Sequence, residues 1–183
     1  MAALHLLRLA ALAGVLPLLA TACSVISPAP TWELVKAAGS AANLALVGRG
    51  ARASNTVYTP HALPAQVCIE YSPQPPLADW LPALQIELKR HAIDSRVFPP
   101  ATPVDGCTHW LRYAATTDWE TPPMESRPVH QLTHARLSLQ RADGRVLSTS
   151  EYVAGSGLLS GKWGSTRDKL APVVTALLTG VEE

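Results

Sequence analysis

Sixteen prolines in a chain of 183 residues limit how long any regular element can run. Each removes a backbone donor, holds φ at about −65° and pushes the preceding residue out of helical geometry. Many come in groups, at Pro73, Pro75 and Pro76, at Pro99, Pro100 and Pro103, and at Pro122, Pro123 and Pro128. Spacing of this kind argues against a helical bundle and favours short elements closed by loops. The length is that of one domain. With 15 Lys and Arg against 14 Asp and Glu, the chain generates no field that would steer nucleic acid. At 48% hydrophobic and 16% charged residues it is too apolar to be wholly disordered.

The first 22 residues read as a targeting segment. Arg8 and His5 make a weakly basic start, and Leu9 to Leu19 is apolar apart from Gly14 and Pro17. That run has the length of a secretory signal core and is shorter than the roughly 20 residues a spanning helix needs. Leu19-Ala20-Thr21-Ala22-Cys23-Ser24 follows, with small residues leading into a cysteine. This resembles the lipobox of bacterial lipoproteins, with Ala20 where that family most often has leucine. The resemblance implies cleavage before Cys23 and palmitate-type lipidation of that cysteine. The alternative is a plain secreted protein cleaved after Ala22. Lipid chains add about 0.8 kcal/mol per buried methylene, so several together hold a protein on a membrane without a spanning helix. Ser24 is not the aspartate that retains enteric lipoproteins at the inner membrane, so the resemblance favours the outer membrane, facing the periplasm. Removing residues 1–22 takes away Arg8 alone among the charges and leaves a formally neutral chain.

With Cys23 assigned to lipid, Cys68 and Cys107 remain. In an oxidising periplasm an isolated pair reads as a disulfide, the alternative being two buried thiols. Neither lies in a C-x-x-C pattern, so redox and zinc readings are weak.

Residues 23–64 read as a lipid-anchored tether with a short helix, capped at Thr31 and carrying Trp32, Leu34, Val35, Ala38, Ala42 and Ala45 on one side. Gly48 to Asn55 reads as a flexible basic connection. Residues 65–183 form the domain. A strand is expected at Val67–Tyr71, then a helix capped by Asp79 with Leu77, Trp80, Leu81, Leu84 and Leu88 at helical spacing. Further strands are expected at Ser95–Phe98 and His109–Trp119. Ala135, Leu137 and Leu139 alternate with His134, Arg136 and Ser138 along another. The Arg141-Ala142-Asp143-Gly144-Arg145 turn suits a three-residue hairpin loop with Gly144 left-handed, which sets Leu139 opposite Leu147 and Leu137 opposite Thr149. Ser165 to Asp168 reads as a capping box for a last helix that ends near Gly180 and is bent by Pro172. The expected fold is α+β: a largely antiparallel sheet of four to five strands, with two helices packed on one face and an N-terminal helix before it.

No G-x-S-x-G, H-E-x-x-H or phosphate-loop pattern occurs. Thr166 stands three residues before Lys169 but no K-T-G run accompanies it, so the penicillin-binding pattern is incomplete. His130 and His134 on a strand would lie roughly 13 Å apart, too far for one metal. No catalytic residue, metal or cofactor is therefore expected. The stretch Gly155 to Gly164 is a candidate partner-binding loop through Leu158, Leu159, Lys162 and Trp163, the alternative being that Trp163 packs on the last helix.

Val67-Cys68-Ile69-Glu70, Leu84-Gln85, His91 to Val97, Cys107, Lys162-Trp163 and Trp32 to Lys36 together resemble a group of small proteobacterial envelope lipoproteins. The resemblance implies no activity. The expectation is a non-enzymatic, lipid-anchored protein that binds an envelope protein or glycan. The alternatives are a structural or stress-related component without a small ligand, or an envelope enzyme of unrecognised type.

Overall fold

The computed structural model describes residues 50–102, 105–156 and 161–182. Its elements are β1 (Ala53–Tyr58), β2 (Gln66–Glu70), α1 (Trp80–Arg90), β3 (Asp94–Phe98), β4 (His109–Glu120), β5 (Val129–Arg141), β6 (Val146–Val153) and α2 (Thr166–Thr179). Cys23 and the helix expected after Thr31 lie outside the described residues, as do Leu158 and Leu159.

All six strands join one sheet in the order β1-β6-β5-β4-β2-β3. α1 carries the chain from the end of β2 back to its start, so β3 runs parallel to β2, with Val67 opposite Ser95. β2 also pairs parallel with β4, Cys68 opposite Trp110. Only β4, β5, β6 and β1 are joined antiparallel. The expectation of a largely antiparallel sheet of four to five strands is thus corrected to a six-stranded mixed sheet.

The sixth strand is β1, which covers part of the segment expected to be a flexible connection. Ala53 faces Tyr152 and Val57 faces Thr149, with a register shift between Ser54 and Val57 where Asn55 takes a positive φ of 53°. Ala53 is buried, whereas Val57 is 66% exposed. The strand has little apolar patterning; it is held to β6 by backbone pairing and by hydrogen bonds from the Ser54 and Asn55 side chains to Glu151 and between the Thr56 and Ser150 hydroxyls. Glu182 Oε1 accepts from the Thr56 N–H at 2.7 Å, which covers one donor of this edge.

One apolar cluster lies between sheet and helices. α1 contributes Trp80, Leu84 and Leu88, α2 contributes Leu170, Val173 and Leu177, and the strands contribute Ile69, Leu111, Leu137 and Leu139. Fully burying such side chains stabilises by about 1.5–3 kcal/mol each. α1 begins after Asp79, whose side chain makes no capping hydrogen bond. Its apolar stripe holds one acid: Glu87 is buried, accepting from Arg90 Nη1 at 3.0 Å and from Arg167 Nε of α2 at 2.7 Å. In α2 the Ser165 and Asp168 capping box is formed in both directions. The helix continues through Pro172 to Thr179, and Gly180 closes it with φ 77°.

The β5–β6 hairpin shows how packing overrules turn geometry. The turn is of the expected length: the Arg141 N–H donates to the Arg145 carbonyl, and Gly144 has φ 85°. Gln140 faces Val146, but a bulge follows and Leu139 faces Ser148, so Leu147 is the extra residue. The expected register, carried on without a bulge, would set Glu151 opposite Ala135 and bury a carboxylate. The bulge sets Tyr152 there instead, fully buried between Ala135 and Ala53.

Candidate functional site

Because β4, β5, β6 and β1 alternate in direction, the start of β4, the β5–β6 turn and the end of β1 meet at one end of the sheet. His109 pairs with Arg141, the Ala142 N–H donates to the Thr108 carbonyl at 2.9 Å, and the Thr59 N–H donates to the Leu147 carbonyl at 2.9 Å. These three segments enclose an open groove of about 770 Å³, lined by Thr59 to Ala62, Gly106 to His109, Arg141 to Asp143, Arg145 and Leu147. A smaller cavity of about 250 Å³ shares Gly106 to His109 and reaches Cys68 and Gln66.

Four of the lining side chains are cationic or can become so. His61 Nδ1 lies 2.7 Å from the Thr59 carbonyl, an oxygen that can only accept, so that nitrogen carries a proton. His61 Nε2 is buried and has no hydrogen-bond partner among the described residues. The ring packs against Tyr58, with centroids 5.2 Å apart. His109 Nδ1 lies 3.0 Å from Thr108 Oγ1. Burial, then repulsion from His61 and Arg141, pushes the His109 imidazole below its usual range. Asp143 is the acid of the groove. One of its oxygens accepts from the Arg145 main-chain N–H at 2.9 Å, and the other lies 3.8 Å from Arg141 Nε. The Arg145 guanidinium has no ion-pair partner among the described residues.

Cys68 of β2 and Cys107, two residues before β4, are joined as a disulfide with Cα atoms 6.2 Å apart, and Cys107 lines the groove. Lys162 and Trp163 of the candidate loop lie elsewhere. Lys162 Nζ pairs with Glu120 at the far end of β4 and sits 5.4 Å from the Trp163 ring centroid. Gly161, beside them, is buried with φ 69°, and a Cβ there would strike the main chain of Ala51. The end of the loop is therefore seated against the start of β1, not grouped with the groove. His130 and His134 have different partners: His130 stacks on Trp119 at 4.9 Å and meets Thr117 Oγ1 at 2.7 Å, whereas His134 lies 3.8 Å from Glu151.

A second polar group went unanticipated. Lys169 of α2 is 1% exposed. Its Nζ donates to the Leu132 carbonyl at 3.0 Å and to Gln131 Oε1 at 3.4 Å, and lies 5.8 Å from the Tyr152 ring centroid. Gln131 in turn donates to Glu120 at 3.3 Å. The β4–β5 register shifts between Thr116 and Thr117, opposite His134 and Leu132, and the lysine serves a carbonyl at that irregularity. Burial lowers the Lys169 ammonium to about 8, with Lys162 adding to the shift and Glu120 and Asp79 opposing it. Tyr152, whose hydroxyl has no partner among the described residues, is raised to about 12 by burial and then by Glu120.

The fold and groove define a six-stranded mixed sheet with two helices and a histidine- and arginine-lined cleft at the hairpin end. No protein-family model and no curated protein sequence matches the chain. Among solved structures it is similar to a dodecamer of a PelC point variant from Paraburkholderia phytofirmans, at 18% identity, over 66% of this chain and 96% of that one, with a TM-score of 0.44.

Proposed function

We propose that this is a lipid-anchored protein of the cell envelope, facing the periplasm, that binds another envelope component at the groove and does no chemistry on it. The observation that carries the binding half is the convergence of four cationic or protonatable side chains, of which His61 Nε2 has no hydrogen-bond partner and Arg145 no ion-pair partner among the described residues. The anchoring half is supported by the lipobox-like Leu19 to Cys23 run, and the Cys68–Cys107 bridge suits an oxidising compartment.

Each half has its own test. Blocking lipoprotein signal peptidase is expected to accumulate precursor, and Cys23→Ala to abolish palmitate labelling; unchanged processing together with an unlabelled wild type removes the anchor. For the groove, crosslinking in intact cells compares Arg145→Ala with Leu159→Asp and Trp163→Ala. Loss of the crosslinked species with Arg145→Ala alone is expected. Loss only with the loop substitutions moves the binding surface to the loop.

A further inference from the structure

We infer that the groove holds an oxyanion, a carboxylate or phosphate group, between Arg145, Arg141, His109 and His61; this rests on the groove being the ligand surface. Charge comes first. Arg141, Arg145, His61 and His109 converge from three chain segments, and Asp143 is the acid among the groove's lining residues. Asp143 is half-spent, because one oxygen holds the turn through the Arg145 N–H. Its other oxygen stands at 3.8 Å from Arg141 Nε, a loose pair beyond hydrogen-bond distance, so Asp143 does not engage the other guanidinium donors in an ion pair among the described residues. Donor geometry agrees. With His61 Nδ1 committed to the Thr59 carbonyl, a second proton can go only to Nε2, which is buried and has no partner among the described residues. An oxyanion beside it would supply the acceptor that the protonated ring needs. An arginine fork and one or two imidazolium N–H groups match the several lone pairs of a carboxylate or phosphate.

Binding is then coupled to protons. Burial, His61 and Arg141 all oppose charge on His109, and Asp143 is the acid among the groove's lining residues. Tyr58 faces His61 with its ring, and Cys107 is held in the disulfide and does not titrate. A bound anion reverses the balance and draws a proton onto the imidazoles. Affinity must therefore rise as pH falls, by up to about tenfold per pH unit for each proton taken up. Alkaline conditions leave only the arginines.

The test is calorimetric titration of the full chain in detergent with glucuronate, whose charge is constant between pH 5.5 and 8, with inorganic phosphate as second anion and glucose as neutral control. Glucuronate is expected to bind at least about tenfold tighter at pH 5.5 than at pH 8. Arg145→Ala should weaken it roughly tenfold at either pH. His109→Gln should reduce the pH dependence and leave the melting temperature near that of the wild type. Phosphate binding without glucuronate binding narrows the group to phosphate. Should a variant not fold, the wild-type imidazole resonances decide: saturating anion is expected to raise the midpoint of His109 titration. Equal binding of glucuronate, phosphate and glucose, or unmoved histidine titrations, overturns the inference. If anions fail to bind while Arg145→Ala still loses the crosslinked species, the groove is the binding surface but recognises other chemistry.

Discussion

Reducing the Cys68–Cys107 disulfide is expected to lower the melting temperature by roughly 12 to 20 °C. The bridge spans 39 residues of sequence, and closing a loop of that size removes unfolded-state entropy equivalent to about 4 kcal/mol. In a domain of this size each kcal/mol moves the midpoint by about 3–5 °C. The bond ties β2, which pairs with both β3 and β4, to the segment leading into β4. That segment carries Gly106, Thr108 and His109 into the groove, so the loss is structural at the site as well as thermodynamic. Calorimetry with and without reductant, and on Cys68→Ser/Cys107→Ser, measures it. Superimposable melting curves would show that the bridge contributes nothing.

Stability should also rise between pH 7.5 and 9.5 through Lys169, against the usual trend for a protein of near-neutral charge. Its ammonium titrates at about 8 in the fold and near 10.5 in the unfolded chain. Between those values the unfolded state binds more protons, so unfolding becomes less favourable as pH rises. The full effect of a shift this large is about 3 kcal/mol, approached only when pH passes the unfolded value. Below pH 8 the charge is buried at a cost; above it the neutral amine still donates to the Leu132 carbonyl and Gln131. Urea midpoints at pH 7.5, 8.5 and 9.5 for the wild type and Lys169→Met separate this from other groups. The wild type should gain on the variant as pH rises. Parallel midpoints would mean that Lys169 does not titrate in this range.

Lys169 and Glu87 mark what a reading of apolar periodicity misses. Lys169 precedes Leu170 and sits four residues before Val173, and Glu87 lies between Leu84 and Leu88; both positions fall on the buried side of their helices. A charged residue on an apolar stripe is a visible signal, but its partner is not. Glu87 finds Arg167 eighty residues away, and Lys169 finds a carbonyl at an irregularity in β5. The parallel pairing could have been anticipated, since strand, helix and strand follow one another from Gln66 to Phe98. β1 could not, because Ala53 to Tyr58 has almost no apolar patterning of its own.

Sequence alone determined the elements with strong local signals. Both helices, the capping box at Ser165, the left-handed Gly144 turn and five of the six strands follow from spacing, caps and proline breaks, which act within a few residues. Tertiary structure decided whatever depends on residues far apart in the chain. It added β1 to the sheet through backbone pairing and slipped β6 by one residue so that Tyr152, not Glu151, enters the core. It also gathered His61, His109, Arg141 and Arg145 into one groove. The physical reason is common to all three: burial and charge proximity are properties of packed surfaces, and no local pattern specifies which surfaces meet.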